Sequence, residues 1–270
     1  MSLSPSVTAQ AWRPYRASGA PAGHTVVGDV RVCADVYSPQ LGNRRRIWIY
    51  LPPSYAHTDW RYPVLYFHDG QNLFDRATSY AGEEWQLDET LEALSRAGQD
   101  VIGVALDHAH DQRLPEYNPF PGWWPARGED YVTFLCDTVK PWIDAEFRTR
   151  PGRGHTGIVG SSLGGLISLY AFFRRPDVFS RVGALSPALW PVRGAIYDYV
   201  RAAAQVSGRI YLDNGTREND ARPMADLLQA RGYHPPETLR YVIEPGGEHR
   251  ESAWARRLPD ALRFLLSDLK

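Results

Sequence analysis

The feature that most constrains the fold of this chain is a serine enclosed by glycines, in the sequence Gly-Ser-Ser-Leu-Gly-Gly at residues 160–165. A short apolar run, Ile158 and Val159, precedes it, and a helix-like stretch over residues 166–173 follows it. The order strand, Gly-x-Ser-x-Gly, helix is the context of a nucleophile elbow, a turn so tight that glycines must flank the serine. Such a turn exposes the Ser162 hydroxyl at the sheet edge and points a helix N-terminus toward it. The sequence therefore predicts a serine nucleophile, although the same residues also occur in ordinary glycine-rich loops.

The rest of the chain alternates apolar runs with amphipathic stretches. Residues 26–36 and 46–51 read as a leading antiparallel pair of strands. Later apolar runs end at Phe67, Leu106, Val159, Leu185, Leu212 and Ile243. This order predicts an α/β fold with a mostly parallel central sheet and helices on both faces. In open sheets of this kind ligands bind at the carboxyl ends of the strands, so the loops after these runs are expected to converge.

Length and charge bound the organisation of the protein. The 270 residues fit one large domain, predicted at 24–270, and residues 1–23, rich in Ser, Ala and Pro, form an N-terminal extension whose order the sequence leaves open. The net charge of −1 gives no electrostatic basis for binding nucleic acid or an anionic membrane. No apolar run is long enough to cross a bilayer, and the N-terminus lacks the features of a signal peptide. We therefore expect a soluble cytoplasmic protein, with the oligomeric state left open.

A serine nucleophile needs a base, and the base needs an acid that orients it. His249 lies just beyond the last predicted strand and takes the third place in the order serine, acid, histidine of α/β hydrolases. The acid is expected after the preceding strand, where Asp213, Glu218 and Asp220 all lie. Asp213 also suits a turn and Asp220 a helix cap, and the residues alone do not rank the three.

The oxyanion formed by attack on a carbonyl needs two preorganised donors. The backbone N–H of Leu163, directly after the serine, is one, and the backbone N–H of Gln71, in the loop after the Phe67 strand, is the other expected donor. Histidines and aspartates cluster at residues 68–69 and again at 107–111. Neither cluster has the spacing on a regular element that fixes a metal geometry, so no catalytic metal is predicted.

Five segments of the chain resemble, in order, those of a known family. They are residues 66–74, 113–119, 160–165, 215–218 and 246–249. On these segments the chain, from about Arg46 to the C-terminus, resembles the esterase D / enterochelin esterase-like branch of the α/β hydrolases. That branch includes feruloyl and acetylxylan esterases, S-formylglutathione hydrolases and mycolyltransferases. The resemblance implies an α/β-hydrolase fold, ester hydrolysis and no cofactor.

The resemblance also implies roles for individual residues. These are Ser162 as nucleophile, His249 as base, and the Gln71 and Leu163 amides as oxyanion donors. In the feruloyl esterases and mycolyltransferases the acid lies in or just after a Gly-Thr turn before the histidine, a place that Glu218 fits first and Asp220 second. Some enterochelin esterase relatives work with a serine–histidine pair alone, which is the alternative to a full triad.

Tryptophans follow two of the predicted strands and bear on the substrate. Trp123 and Trp124 lie in a proline-rich loop, and Trp190 lies just past a later strand. Because Trp faces suit aromatic acyl groups and sugar rings, we expect these three residues to line the substrate pocket. Asp69 is expected to line the same pocket. Packing of the loop onto the core explains the tryptophans equally well.

Three functions are compatible with these residues. The first is a serine carboxylesterase that acts on a small-molecule ester through an acyl-enzyme, with aromatic-acyl and sugar esters as candidate substrates. The second is an acyltransferase that uses the same residues with an alcohol or thiol in place of water. The third is a non-catalytic protein that binds a glycan or siderophore on a hydrolase fold. The third hypothesis predicts a damaged set of Ser, acid and His; the set is complete, so the esterase is favoured.

Overall fold

The computed structural model describes residues 11–269, so residues 1–10 of the predicted N-terminal extension lie outside the described residues. The strands in the described part are β1 (Arg13–Pro14), β2 (Asp29–Ser38), β3 (Asn43–Leu51), β4 (Val64–His68), β5 (Ile102–Leu106), β6 (Thr156–Ser161), β7 (Arg181–Leu185), β8 (Arg209–Gly215) and β9 (Leu239–Glu244). They form one sheet of nine strands in the order β1-β2-β3-β5-β4-β6-β7-β8-β9.

Strand direction divides this sheet into two parts. Antiparallel pairing joins β1, β2, β3 and β5, whereas β5, β4, β6, β7, β8 and β9 all run parallel to one another. The predicted leading antiparallel pair and mostly parallel sheet are confirmed. Because the parallel strands share a direction, the loops that follow β4 to β9 emerge at one edge of the sheet.

Helices cover both faces of the sheet. They are α1 (Leu87–Arg96), α2 (Arg113–Tyr117), α3 (Gly128–Thr133), α4 (Lys140–Glu146), α5 (Leu163–Arg174), α6 (Pro191–Ala202), α7 (Arg222–Ala230) and α8 (Glu251–Leu266). Side chains of α3 to α7 pack into one apolar cluster and those of α1 and α8 into a second. Successive residues of β3 point to opposite faces of the sheet: Ile47 belongs to the first cluster and Trp48 to the second. The sheet therefore lies between the two clusters. Within residues 11–269, none of the helices has the length and apolar character that a membrane crossing requires.

The helices depart from the sequence pattern in three places. Apolar spacing predicts one helix over residues 131–147 with a kink at Pro141, whereas the structure has α3, a π-helical turn over Phe134–Val139, and then α4. Proline has no N–H to donate to the preceding turn, and the wider turn before Pro141 accommodates that loss. Helices α2 and α6 were not predicted, and the first turn of α6 is irregular, with positive φ at residues 192–194.

The described part of the predicted N-terminal extension lies against the rest of the protein. β1 pairs with β2, and Trp12 stacks on Trp142 with ring centroids 5.1 Å apart. Tyr15 is buried, and its hydroxyl donates a hydrogen bond to Asp75. From Trp12 onward the chain is therefore held by aromatic packing and a buried hydrogen bond.

Candidate active site

The turn between β6 and α5 holds Ser162 in a strained backbone conformation. Its φ of 55° and ψ of −123° are unfavourable for a residue with a Cβ atom. Two backbone hydrogen bonds fix this conformation: the Ser162 N–H donates to Leu185 O at 3.0 Å, and the Ala188 N–H donates to Ser162 O at 2.8 Å. The end of β7 and the loop after it thus hold the serine in place, and strain of this kind is typical of functional sites.

The glycines around Ser162 differ in how strictly they are required. A Cβ on Gly160 would lie 2.6 Å from the backbone of Gly164, a distance that only a shift of the turn could relieve. A Cβ on Gly164 would meet the His68 side chain at 3.3 Å, which is tight but close to contact distance. Position 160 therefore requires glycine, because two backbone segments cross there. Position 164 can accept a small side chain.

A chain of hydrogen bonds links Ser162 to two other loops. His249 Nε2 lies 2.9 Å from Ser162 Oγ, and His249 Nδ1 lies 2.7 Å from Glu218 Oε2. The loops that carry His249 and Glu218 pack closely, since a Cβ on Gly215 would lie 2.2 Å from Gly247 O. The Arg217 N–H also donates to Gly247 O at 3.0 Å. The structure therefore brings together the serine, the histidine and the first-ranked acid.

Glu218 lies in surroundings that favour its carboxylate form. Its side chain is only 3% exposed, and burial by itself opposes ionisation. Hydrogen bonds from His249, from the Gly215 N–H and from the Ser186 hydroxyl outweigh this effect and lower the pKa of Glu218. A carboxylate that stays ionised can accept the Nδ1–H of His249 and so leave Nε2 free to accept a proton from Ser162.

The two alternative acids lie elsewhere. Asp213 is fully buried, accepts the Ser186 N–H at 2.9 Å, and has its pKa raised to about 7 by burial. Asp220 accepts hydrogen bonds from the Tyr241 hydroxyl at 3.0 Å and the Arg222 N–H at 2.9 Å. Neither carboxylate has His249 among these partners.

Both predicted oxyanion donors follow strands that end beside Ser162. Leu163 is the first residue of α5, so its N–H has no partner within the helix. Gln71 lies in a single 3₁₀ turn over Gly70–Asn72, directly after β4. The side chain of Gln71 accepts the His108 N–H at 3.3 Å, and its carbonyl accepts the Thr78 hydroxyl at 2.7 Å, so two contacts fix this loop.

Ser162 and His249 line a pocket of about 280 Å³. The remaining described residues that line it are Asp69, Asn72, Tyr80, Trp85, His108, Arg113, Ser161, Glu251 and Trp254. Asp69 accepts two hydrogen bonds of 2.8 Å from the Arg113 guanidinium, whose positive charge lowers the pKa of Asp69 against the effect of burial. Charged and aromatic side chains thus stand together within reach of the serine.

Comparison with known proteins identifies the family. Residues 38–265 match the model of the family described as "Putative esterase". The chain belongs to this esterase family. It is an enterochelin esterase-like carboxylic ester hydrolase, which confirms the resemblance read from its sequence.

Individual relatives of the esterase agree with this assignment. A siderophore enterobactin esterase of Emericella nidulans is 33% identical over 166 residues, 60% of this chain and 51% of that one. The iron(III) enterobactin esterase of Dickeya dadantii is 28% identical over 257 residues, 86% of this chain and 54% of that one. The matches span about half the length of both relatives. A solved ferulic acid esterase shares the α/β-hydrolase fold, with a TM-score of 0.69, 22% identity, and coverage of 88% of this chain and 97% of that one.

The predicted pocket tryptophans of the esterase are absent from the lining of the Ser162 pocket. The described residues that line the Ser162 pocket include Asp69 but not Trp123, Trp124 or Trp190. Trp123 is 98% exposed, and Trp124 meets Trp190 edge to face with ring centroids 6.4 Å apart. Trp190 lines a second pocket, whose other described residues are Pro187, Leu189, Arg193, Gly194, Tyr197, Asn219 and Asp220.

Several residues of the site escaped sequence reasoning. Ser186 follows β7, where the topology predicts a site loop, yet no pattern marks its contact with Glu218. Trp254 and Glu251, both on α8, line the pocket directly after the His249 loop. Within residues 11–269, no group of three or more His, Cys, Asp or Glu side chains is arranged to hold a metal ion.

Alanine at each elbow glycine tests the backbone geometry of the esterase. Gly160→Ala is expected to lose most of its activity and at least about 1–3 kcal/mol of stability, because its Cβ overlaps backbone. Gly164→Ala is expected to keep the fold and most of the activity, because only the His68 side chain needs to shift. Thermal unfolding and hydrolysis of a short p-nitrophenyl ester measure both effects, and equal effects of the two changes would contradict this geometry.

Proposed function

We propose that this esterase is a serine carboxylesterase in which Ser162 is the nucleophile, His249 the general base and Glu218 the acid that orients the base. The observation that carries the proposal is the continuous chain from Ser162 Oγ to His249 Nε2, at 2.9 Å, and from His249 Nδ1 to Glu218 Oε2, at 2.7 Å. Its geometry fits proton transfer from a hydroxyl to an imidazole whose far nitrogen is held by a carboxylate.

The reaction follows from these contacts. Ser162 Oγ attacks the ester carbonyl carbon while its proton passes to His249 Nε2, and the N–H groups of Leu163 and Gln71 are the proposed donors to the oxyanion. The intermediate then breaks its bond to the alcohol oxygen, which takes the proton from His249. Water attacks the acyl-enzyme by the same route, releasing the acid and restoring the serine.

Hydrolysis is favoured over transfer to a second substrate because the site is open. The His249 side chain is 44% exposed, so water reaches the base directly. Transfer to an alcohol or thiol requires a place where water is excluded from the acyl-enzyme. Product analysis in the presence of candidate alcohols tests this preference, since an acyltransferase would convert the acid product into a new ester.

The lining of the Ser162 pocket supports an ester whose ring carries polar groups. Trp85, Trp254 and Tyr80 offer aromatic faces, and Arg113 and Glu251 offer charged groups beside them. The relatives named as enterobactin and ferulic acid esterases support the same class. A long aliphatic acyl chain would lie against these charged groups without compensating hydrogen bonds.

A panel of esters that share one alcohol tests this substrate class. Methyl esters of ferulic, 2,3-dihydroxybenzoic, acetic and decanoic acids differ only in the acyl group. We expect the two hydroxylated aromatic esters to give higher kcat/KM than the decanoyl ester, because the pocket pairs aromatic faces with hydrogen-bonding groups. A preference for the decanoyl ester would contradict the proposed class without touching the proposed nucleophile.

The nucleophile itself is tested by covalent labelling. A fluorophosphonate probe followed by mass spectrometry should place its adduct on Ser162, and Ser162→Ala should abolish both labelling and ester hydrolysis. Ser161→Ala is the matched control, since Ser161 is the neighbouring serine in the same turn. An adduct on another residue, or full hydrolysis by folded Ser162→Ala, would exclude the proposed mechanism.

The acid is tested by comparing three carboxamide variants. Glu218→Gln should fold normally and lose as much as roughly 10⁴-fold in kcat/KM, because the amide no longer holds the working tautomer of His249. Asp213→Asn and Asp220→Asn should lose little, since neither carboxylate binds the imidazole. If Glu218→Gln keeps near-full activity, the enzyme works as a Ser162–His249 pair; if only Asp220→Asn loses activity, the acid is Asp220.

A further inference from the structure

A buried arginine lies behind Glu218, on the side away from His249. The side chain of Arg257, on α8, is only 5% exposed. Its Nη2 donates to Ser186 Oγ at 2.8 Å, and its Nη1 lies 3.4 Å from Glu218 Oε1. This cation contacts neither Ser162 nor the lining of the Ser162 pocket, so any influence on the reaction is indirect.

Three carboxylates share this one guanidinium. Besides Glu218, Asp213 Oδ2 and Glu244 Oε2 lie 3.5 Å and 3.6 Å from Arg257 Nε. Glu244 has a second cation, since its Oε1 binds Arg256 at 2.8 Å, but Arg256 is largely exposed. A buried carboxylate without a cation takes up a proton rather than stay charged, so the carboxylates beside Arg257 depend on it.

Ser186 transmits the influence of the arginine through a directed hydroxyl. Its oxygen accepts hydrogen bonds from Trp254 Nε1 at 2.9 Å and from Arg257 Nη2 at 2.8 Å. A hydroxyl has two acceptor sites and one proton, so with both acceptor sites filled the proton points to its remaining partner. That partner is Glu218 Oε1, at 2.7 Å. The arginine thus fixes the direction of the bond that holds Glu218.

We infer that Arg257 is a positioning residue, which keeps Glu218 ionised and aimed at His249 through its own charge and through Ser186. The inference rests on the proposed roles of Ser162, His249 and Glu218. It goes beyond them because it assigns to a residue on α8, remote from the pocket, control over the protonation state of the acid.

The pKa shifts of the two buried acids, Asp213 and Glu218, support this role of Arg257. Burial raises the pKa of Asp213 to about 7 in spite of Arg257, whereas the pKa of Glu218 is lowered by its hydrogen bonds and by Arg257. Near neutral pH the site therefore keeps the acid that binds His249 charged and lets the other take a proton.

The test separates this role from a purely structural one by the pH dependence of kcat/KM. In Arg257→Met, the charged groups left facing Glu218 are His249 and Asp213, with Glu244 and its partner Arg256 beyond. Without the guanidinium, Glu218 takes up a proton more readily, and a protonated Glu218 no longer holds His249 in the tautomer that accepts the Ser162 proton. The active protonation state of the site is then lost at a higher pH, so the acidic limb of the kcat/KM profile moves upward.

We expect Arg257→Met to raise the acidic limb of the pH profile by about one unit, with about a tenfold lower rate below the limb. Arg257→Lys, which restores a cation, should bring the limb back toward its original position. Arg256→Met is the matched control, since Arg256 lies on the same helix as Arg257 and binds Glu244 of β9 without contacting Glu218. The acidic limb of this variant should not move. A folded Arg257→Met enzyme with an unchanged limb would overturn the proposal.

Two further measurements keep the outcome decisive. If Arg257→Met does not fold, the double variant Arg257→Gln/Asp213→Asn removes the cation together with one of its acids, and its limb is compared with that of Asp213→Asn alone. Fluorophosphonate labelling is run on every variant. An adduct on Ser162 with an unshifted limb rejects only the role of Arg257, whereas absence of the Ser162 adduct in folded wild-type protein rejects the proposed function.

Discussion

The strained backbone of Ser162 is the constraint on which the rest of the site depends. A residue with φ of 55° and ψ of −123° persists only where its surroundings hold it. Here Leu185, at the end of β7, accepts its N–H, and Ala188, in the following loop, donates to its carbonyl. The same turn ends β6 and starts α5, so the sheet, the helix and the neighbouring loop all fix one hydroxyl. The absence of a side chain at Gly160 lets the two backbones cross.

Parallel strands then bring distant residues to that hydroxyl. Ser162 and His249 are 87 residues apart in the chain, and Glu218 and His249 are 31 apart, yet each pair is within hydrogen-bond distance. Behind these residues lies a cluster of charged side chains with little exposure to solvent. In this cluster Arg257 faces Asp213, Glu218 and Glu244. Such a network is stable only if hydrogen bonds and a cation replace the lost water, and here they favour ionisation of the acid that contacts His249.

The aromatic residues separate into two populations with different physical roles. Trp85 and Trp254 are buried at the wall of the Ser162 pocket, and the ring of Trp254 meets the edge of His249 with centroids 5.0 Å apart. Trp124 and Trp190 are more exposed and meet edge to face, and Trp190 lines a second pocket. The position of a tryptophan in a predicted loop therefore did not indicate which pocket its ring would line. The orientation of the ring depends on how the whole loop packs.

The sequence by itself determined the elbow, the mostly parallel sheet with its leading antiparallel pair, and His249 as the histidine beyond the last strand. These follow from local rules: glycines around a tight turn, apolar runs of strand length, and strand order. It did not decide among Asp213, Glu218 and Asp220, which only the resemblance ranked. In the tertiary structure β8 continues to Gly215 through its pairing with β9, which keeps Asp213 within the sheet and carries Glu218 to His249. The partnership of Ser186, Trp254 and Arg257 with that acid was likewise decided only by folding, because it joins β7 and α8 across residues that no sequence spacing relates.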